Sequence, residues 1–473
     1  MNVSNQRWDD RQFDQEFERI RNLWPAFREL DLAEMAEYHR NVVGGRTFAA
    51  AYRRARKEGA ILLQPRFGVA TVEAQAEGMR ILEKEGGADL LTMSSDTYSR
   101  REEFAKADEA VKLSYANGRS MLNGFPAAIH GLKGTRRVTE ATDVPVGGRG
   151  ATGAPQAYNA MMLAGGATEF NGSALAFVMN VEARMKVPVA IHNTQFIDRM
   201  IGKLTEMGAQ PAKESSTIVS GTIVPPAIAV VCGVVEVLLA AVQGVKYHCV
   251  AYPVNSSVIQ DIAACRVMRE FCDRYAREAG FNDLEIAYAI HQWLGPFPED
   301  KSRALARIAF DSVTAVYAQV DKILVKSSEE GQGTPTNQGN MEGLRTTRQA
   351  VDLARGQSFP DSAELQEECA QIRKESSAIL DAVFELGKGD VAQGVSRAIE
   401  SGVYEFPYSV NASNRGKMLV CRDGSGAVRY LDTGNLPLDE ATKRWHRERL
   451  SSRLQTVEDE YLLVIEDIRA AVR

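Results

Sequence analysis

The chain has few cysteines, no basic excess and no unbroken apolar run of membrane length, and each absence removes a class of protein. Its 6 cysteines (Cys232, Cys249, Cys265, Cys272, Cys369 and Cys421) form no Cys-x-x-Cys pair. Neither a zinc ribbon nor a disulfide scaffold fits, and free thiols in a reducing cytoplasm are expected. A formal net charge of -6 argues against a general nucleic-acid binder, which must neutralise many phosphates. The longest apolar stretch, 223–242, is broken by Pro225 and Pro226 and carries Glu236. A lipid-facing carboxylate is costly, so this stretch reads as a strand, a turn and a buried helix. Residues 1–11 are polar with no apolar segment behind them, so no targeting sequence is expected. Ser-His-Asp signatures, G-x-S-x-G and P-loop patterns are missing too.

What remains is an ordinary globular composition, 44% hydrophobic and 25% charged, over 473 residues. Residues 1–59 read as amphipathic helices at 14–23, 32–40 and 47–57. From residue 60 short apolar runs alternate with helical stretches. The runs fall at 60–64, 88–93, 120–123, 144–146, 167–170, 218–224, 246–252, 284–290 and 322–325. Such alternation predicts an α/β fold with a parallel sheet and helices outside. Nine candidate strands are one more than a (β/α)8 barrel needs, so one is a misread or lies outside it. An open doubly wound sheet is the alternative. The barrel over 60–345 is favoured because the candidate chemistry falls at the C-terminal ends of several strands. Beyond it, 346–473 reads as a C-terminal α+β extension: helices at 364–386, 391–400, 438–450 and 457–472, and a hairpin at 418–431 turning on Asp423-Gly424-Ser425-Gly426.

Three arginines follow strand ends: Arg66 after Gln64-Pro65, Arg100 in Asp96-Thr97-Tyr98-Ser99-Arg100, and Arg149 in Gly147-Gly148-Arg149-Gly150. A guanidinium fork bonds a carboxylate bidentately, so three converging forks could grip both ends of a small diacid; three unrelated surface arginines are the plainer reading. Gly148-Arg149-Gly150-Ala151-Thr152-Gly153 matches G-x-G-x-x-G, but an arginine inside the turn and its place after the fourth run weaken a dinucleotide reading. A turn that brings backbone close to a ligand fits better. Lys326 and Glu330 could bond ribose hydroxyls, though sequence alone favours an exposed ion pair. Asn123 ends a run, where a turn asparagine is ordinary. His291 closes an apolar strand, where a satisfied core histidine is the commoner case, and no second histidine stands at metal-ligand spacing.

Taken together these segments resemble the large (epsilon) subunit of glutamate mutase, also called methylaspartate mutase. The resemblance runs from about Trp24 to the C-terminal helices. It is carried by Gln64-Pro65-Arg66, Glu85-Gly86-Gly87-Ala88-Asp89, Gly118-Arg119-Ser120, Leu122-Asn123-Gly124-Phe125-Pro126, Gly221-Thr222-Ile223-Val224-Pro225-Pro226 and His291-Gln292-Trp293. Phe384-Glu385-Leu386-Gly387-Lys388-Gly389-Asp390 and Gly434-Asn435-Leu436-Pro437 extend it. It implies a (β/α)8 TIM barrel whose mouth faces adenosylcobalamin. It also implies a small partner subunit whose Asp-x-His-x-x-Gly histidine ligates cobalt, in a heterotetramer of two large and two small chains. That motif does not occur here.

By the same resemblance Arg66, Arg100 and Arg149 hold the substrate carboxylates. Lys326 and Glu330 contact the adenosyl ribose, with Gly68 and Asn123 nearby. The implied reaction is radical: cobalt–carbon homolysis, hydrogen abstraction by the 5′-deoxyadenosyl group, and rearrangement of L-glutamate to (2S,3S)-3-methylaspartate. The sequence departs from the family where a glutamate binds the substrate ammonium: this chain has Asn171, and two substrate-touching tyrosines are Phe177 and Val181. An amide accepts a hydrogen bond but offers no charge. Glu169, two residues earlier on the same strand face, could compensate. A 2-oxo diacid or modified amino acid, as in secondary metabolism, and a non-catalytic diacid-binding paralogue are the alternatives.

Overall fold

The computed structural model describes residues 3–218 and 223–470. Eight parallel strands form one sheet: β1 (Leu62–Pro65), β2 (Leu91–Ser94), β3 (Val146–Arg149), β4 (Glu169–Asn171), β5 (Ala212–Ser216), β6 (Tyr247–Pro253), β7 (Glu285–His291) and β8 (Lys322–Val325). Each neighbours the next in chain order, and β8 pairs with β1 in register Leu62 with Lys322. The seam between β1 and β2 is closed by Leu90 N donating to Leu63 O at 3.2 Å, Ser94 N to Phe67 O at 2.8 Å, and Gln64 Nε2 to Thr92 Oγ1 at 3.1 Å. The chain is a (β/α)8 barrel.

Two of the nine candidate strands are corrected. Residues 120–123 form a loop, tied by Ser120 Oγ donating to Leu122 O at 2.7 Å. The run at 218–224 is not the fifth strand: 219–222 lie outside the described residues, and the flanking described positions are not strand. The fifth strand is Ala212–Ser216, which carried no apolar signal. Its Lys213 points to the helix layer, paired with Asp198 at 2.8 Å and Glu236 at 3.6 Å, while Glu214 points into the barrel. The helix Pro226–Val242 is buried along its length with Glu236 in that pair, as the reading of a core helix expects. Among the described residues no helix is long and apolar enough to cross a membrane.

The barrel floor is sealed by the helix Phe48–Glu58, capped by Thr47 Oγ1 accepting from Ala50 N at 3.1 Å. Phe48 and Tyr52 of this helix close on Lys322, whose Nζ lies 5.3 and 5.4 Å from their ring centres. The lower barrel layers are lined by small side chains, Ala212, Cys249, Ala251, Ala287 and Ala289. The room they leave holds a buried ion network. Lys322 Nζ donates to Glu169 Oε2 at 2.9 Å and Glu214 Oε2 at 2.5 Å. Arg149 Nη1 donates to Glu214 Oε1 at 2.9 Å, and Tyr52 Oη to Glu169 Oε1 at 2.7 Å. Glu169, Glu214 and Cys249 have the spacing of a metal site, but the Lys322 ammonium already stands against both carboxylates.

In the C-terminal extension, helix Ala363–Gly387 packs on the helices that follow β5 and β6. The expected hairpin forms from β9 (Leu419–Arg422) and β10 (Val428–Asp432), antiparallel. All 6 cysteines are free and buried.

Lys322→Met should destabilise the fold by roughly 3–5 kcal/mol, because two buried carboxylates lose their shared counter-ion. Urea unfolding followed by circular dichroism measures this. A loss under about 1 kcal/mol, the scale of a solvated pair, would mean the network contributes no more than surface charges do.

Candidate active site

The residues that end the strands converge at the C-terminal mouth on a cavity of about 120 Å³. Its walls are Arg66, Ser94, Arg100, Arg149, Gly150 and Ala151 from the first three strand ends, Asn171, Phe177 and Val181 from β4 and the helix after it, and His291 and Leu294 from β7. Drug-sized pockets run to several hundred Å³, so this one suits a small metabolite.

Each arginine is placed by a different local device. Arg149 is the last residue of β3, in register with Asn171 of β4, which is in register with Glu214 of β5. It is 7% exposed and anchored by Glu214. Arg100 ends the short helix Thr97–Arg100, whose N-cap Asp96 accepts from Tyr98 N at 2.9 Å and Ser99 N at 3.0 Å. Its Nε and Nη2 fold back onto Ser95 O at 3.0 and 2.5 Å. Arg66 follows β1, encircled by protein yet open to the solvent of the mouth, and makes no hydrogen bond or ion pair among the described residues. Burial and then Arg149 hold its pKa below the usual guanidinium range; burial does the same to Arg100. A guanidinium resists deprotonation, so these shifts register instead as affinity for an anion.

The glycine turn after β3 is explained by packing. A Cβ on Gly150 would meet Tyr158 Oη at 2.3 Å, and Tyr158 Oη donates to Gly150 O at 3.0 Å. Gly68 is similar, since a Cβ there would lie 2.6 Å from Ser94 O and 2.8 Å from Gly124 Cα. It sits beside a lining residue without lining the cavity. Asn123 is exposed nearby, its Oδ1 accepting from Thr97 N and Thr97 Oγ1, both at 3.1 Å.

Lys326 and Glu330 do pair, but not as an exposed surface bridge. Lys326 is 3% exposed, and burial, with Arg66 and Arg149 near, pulls its pKa down to about 8 against the pull of Glu330. Burial opposes ionisation of Glu330, but Lys326 and Arg66 outweigh it and lower its pKa.

Two expectations change in the structure, and a third residue enters the site without a sequence signal. Glu169 does not stand in for a carboxylate at position 171, because it lies one layer below, held by Lys322 and Tyr52. His291 is not a core residue alone: it lines the cavity, with Nδ1 2.8 Å from Gln292 O. Burial, then Arg149, Lys326 and Arg66, hold its pKa well below the usual imidazole range, so the ring is neutral. Glu214 was not singled out in sequence, since Lys-Glu-Ser-Ser looks like surface, yet it anchors both Arg149 and the Asn171 amide.

Sequence also gave no hint of Asn411, from the C-terminal extension. The helix Ala174–Val181 bears Phe177 and Val181 and ends with unpaired carbonyls. Asn411 Nδ2 donates to Val178 O at 3.2 Å, Glu182 O at 2.6 Å and Met185 O at 2.9 Å, and Ala412 N donates to Ala183 O at 2.9 Å. The extension thus holds one wall of the cavity.

An eight-stranded barrel with a guanidinium-lined cavity at its C-terminal mouth has the form of a barrel enzyme for a small anion. The family model for the methylaspartate mutase E chain matches residues 44–473, and the chain belongs to that family. It is therefore an enzyme of the isomerase class. Among its relatives is the glutamate mutase epsilon subunit of Desulfitobacterium hafniense (strain Y51), 35% identical over 472 residues, covering 99% of this chain and 98% of the relative. The protein of the same name from Haloarcula marismortui is 36% identical over 468 residues, covering 98% and 94%. That from Treponema denticola is 33% identical over 472 residues, covering 99% and 97%.

Asn411→Asp would set a carboxylate against the carbonyl oxygens that the amide now serves. Hydrogen–deuterium exchange should then quicken in 174–185, by about tenfold or more for a contact of roughly 1–3 kcal/mol, with the barrel strands unchanged. Unaltered exchange there would show that Asn411 does not hold this wall.

Proposed function

We propose that this chain is the substrate-binding barrel subunit of an adenosylcobalamin-dependent carbon-skeleton mutase acting on a small dicarboxylate. Interconversion of L-glutamate and (2S,3S)-3-methylaspartate is the reaction that its relatives' names and the sequence resemblance point to. The observation that carries the reading is the meeting of Arg66, Arg100 and Arg149 in one small cavity. Two carboxylates can be gripped at opposite ends there, which fixes the carbon skeleton between them.

The residues around the mouth suit the cofactor's nucleoside end. Lys326 and Glu330 offer a cation and an anion side by side, the pairing that vicinal hydroxyls can bond; Gly68 packs on the lining residue Ser94, and Asn123 is exposed beside Thr97. When bound, adenosylcobalamin supplies an alkyl radical that takes and returns a substrate hydrogen. The chain has no Asp-x-His-x-x-Gly sequence, so the cobalt ligand belongs to a small partner subunit, in a heterotetramer built on a dimer of this chain. We assign the chemistry to the barrel at 60–345, with 1–59 sealing its floor and 346–473 bracing its mouth. The arginines orient the substrate and neutralise its carboxylates. Phe177, Val181 and Leu294 give the reacting carbons an apolar wall that keeps water away.

Arg100→Lys should leave the fold intact by circular dichroism and cut turnover of the reconstituted enzyme at least thirtyfold. Lysine keeps the charge but loses the planar fork, a loss of about 2–5 kcal/mol for a desolvated charged pair. Near-normal turnover would remove Arg100 from the substrate grip. Equilibrium dialysis addresses the partner: this chain alone should bind adenosylcobalamin weakly, and adding the small subunit should tighten binding by at least tenfold. Equally tight binding without the partner would count against the two-subunit reading.

A further inference from the structure

The charges and acceptors around the cavity select a chemical class of ligand; the inference rests on the dicarboxylate reading above and narrows it. Below the cavity, Glu169 and Glu214 stand against Lys322 and Arg149, two carboxylates facing two cations, although burial raises the pKa of Glu169 against the pull of Lys322. At the rim Glu330 cancels Lys326. Arg66 and Arg100 are left, with no ion pair among the described residues. With only the buried Asp96 carboxylate near Arg100 to offset them in part, these two guanidinium groups favour a ligand with a carboxylate for each.

Of the polar groups left for the rest of the ligand, the Ser94 hydroxyl can donate or accept, while Asn171 and His291 offer acceptors. Asn171 Nδ2 donates to Glu214 Oε1, and Asn171 Oδ1 is buried without a partner. Rotating the amide would press Oδ1 against a carboxylate that Lys322 and Arg149 keep ionised in spite of its burial, so the carbonyl side is the one presented. His291 Nδ1 faces the Gln292 carbonyl, which can only accept, so that nitrogen carries the hydrogen and Nε2 holds a lone pair. Among the described residues no carboxylate lines the cavity, and the remaining wall is largely apolar, with Ala151, Phe177, Val181 and Leu294.

We infer that the ligand is a small dicarboxylate dianion whose remaining polar substituent is an uncharged hydrogen-bond donor, of which a 2-hydroxy dicarboxylate is the simplest form. An ammonium substituent adds a cation beside two guanidinium groups and meets no anion among the described residues that line the cavity. A 2-oxo group sets its lone pairs against those of Asn171 Oδ1 and His291 Nε2, leaving these two acceptors unpaired even where the Ser94 hydroxyl donates to the oxo oxygen.

Calorimetric titration of the full-length chain, alone and reconstituted with its cobalamin-binding partner, tests this with glutarate, (S)-2-hydroxyglutarate, 2-oxoglutarate and L-glutamate. The hydroxy acid should bind about five- to tenfold more tightly than each of the others, the size of one added hydrogen bond. Asn171→Leu should erase its margin over glutarate while glutarate binding persists. L-Glutamate or 2-oxoglutarate binding as tightly as the hydroxy acid overturns the inference yet leaves a dicarboxylate site. A hydroxy-acid margin that survives in Asn171→Leu also overturns it, by placing the contact elsewhere. Failure of all four to bind a folded chain removes the dicarboxylate reading itself. Should Asn171→Leu not fold, the ranking of the four acids on the wild-type chain decides alone.

Discussion

The geometry of the mouth depends on one buried interaction, the Lys322 ammonium held between Glu169 and Glu214 on the barrel axis. Burying four charges there is costly, and pairing them does little more than recover the cost. What the network provides is position. Glu214 has one oxygen on Lys322 and the other on Arg149 and Asn171, so the carboxylate is immobile and both cavity residues inherit its placement. The arrangement is possible because alanines and one cysteine line the neighbouring strands, leaving room that bulky branched side chains would fill. Phe48 and Tyr52 then close the floor and exclude water, which strengthens every charge interaction above them.

From that floor the site is built in layers, each held by the one beneath. Glu169 and Lys322 form the lowest layer, Glu214 bridges it to the next, and Arg149 and Asn171 form the base of the cavity. Arg66, Arg100 and His291 surround it; Arg100 and His291 are tied to backbone carbonyls near their own strand ends, and Arg66 has no such tie among the described residues. The wall made by Phe177 and Val181 has a different support, the amide of Asn411. The C-terminal extension, which in sequence showed only packing elements, is therefore part of the site's framework.

The barrel was legible because most strands are short apolar runs before helices, and the apolar run is the signal that survives in a sequence. β5 was not, since Lys213 faces the helix layer and Glu214 the barrel interior, and a strand with ions on both faces reads as surface. The false strand at 120–123 failed for the opposite reason: Met121 and Leu122 look like a strand, but serine bonds hold them in a loop. Of the site, the arginines, Asn171, Phe177 and Val181 were found through strand ends and family resemblance, and the structure brings all six to one cavity. Missed were the roles set by distant partners. Asn411 caps a helix more than 200 positions away, Glu214 acts through Arg149, and His291 sits at a strand end whose opening on the cavity no local pattern records.

The same network bears on why a neutral residue occupies position 171. Asn171 Nδ2 meets the Glu214 oxygen that also accepts from Arg149. A carboxylate in that place would set a third anion against Glu214 and above Glu169, whose cations, Lys322 and Arg149, are already engaged. In a buried site the like charges would force one carboxylate to take a proton. If Glu214 took it, Arg149 would lose its anchor; if residue 171 took it, no charge would be gained for a ligand. An amide avoids the conflict by donating to Glu214 and turning a neutral acceptor toward the cavity. In this barrel the carboxylate that fixes Arg149 also holds the amide at 171, so a change in the charge of that wall is felt by one arm of the arginine grip.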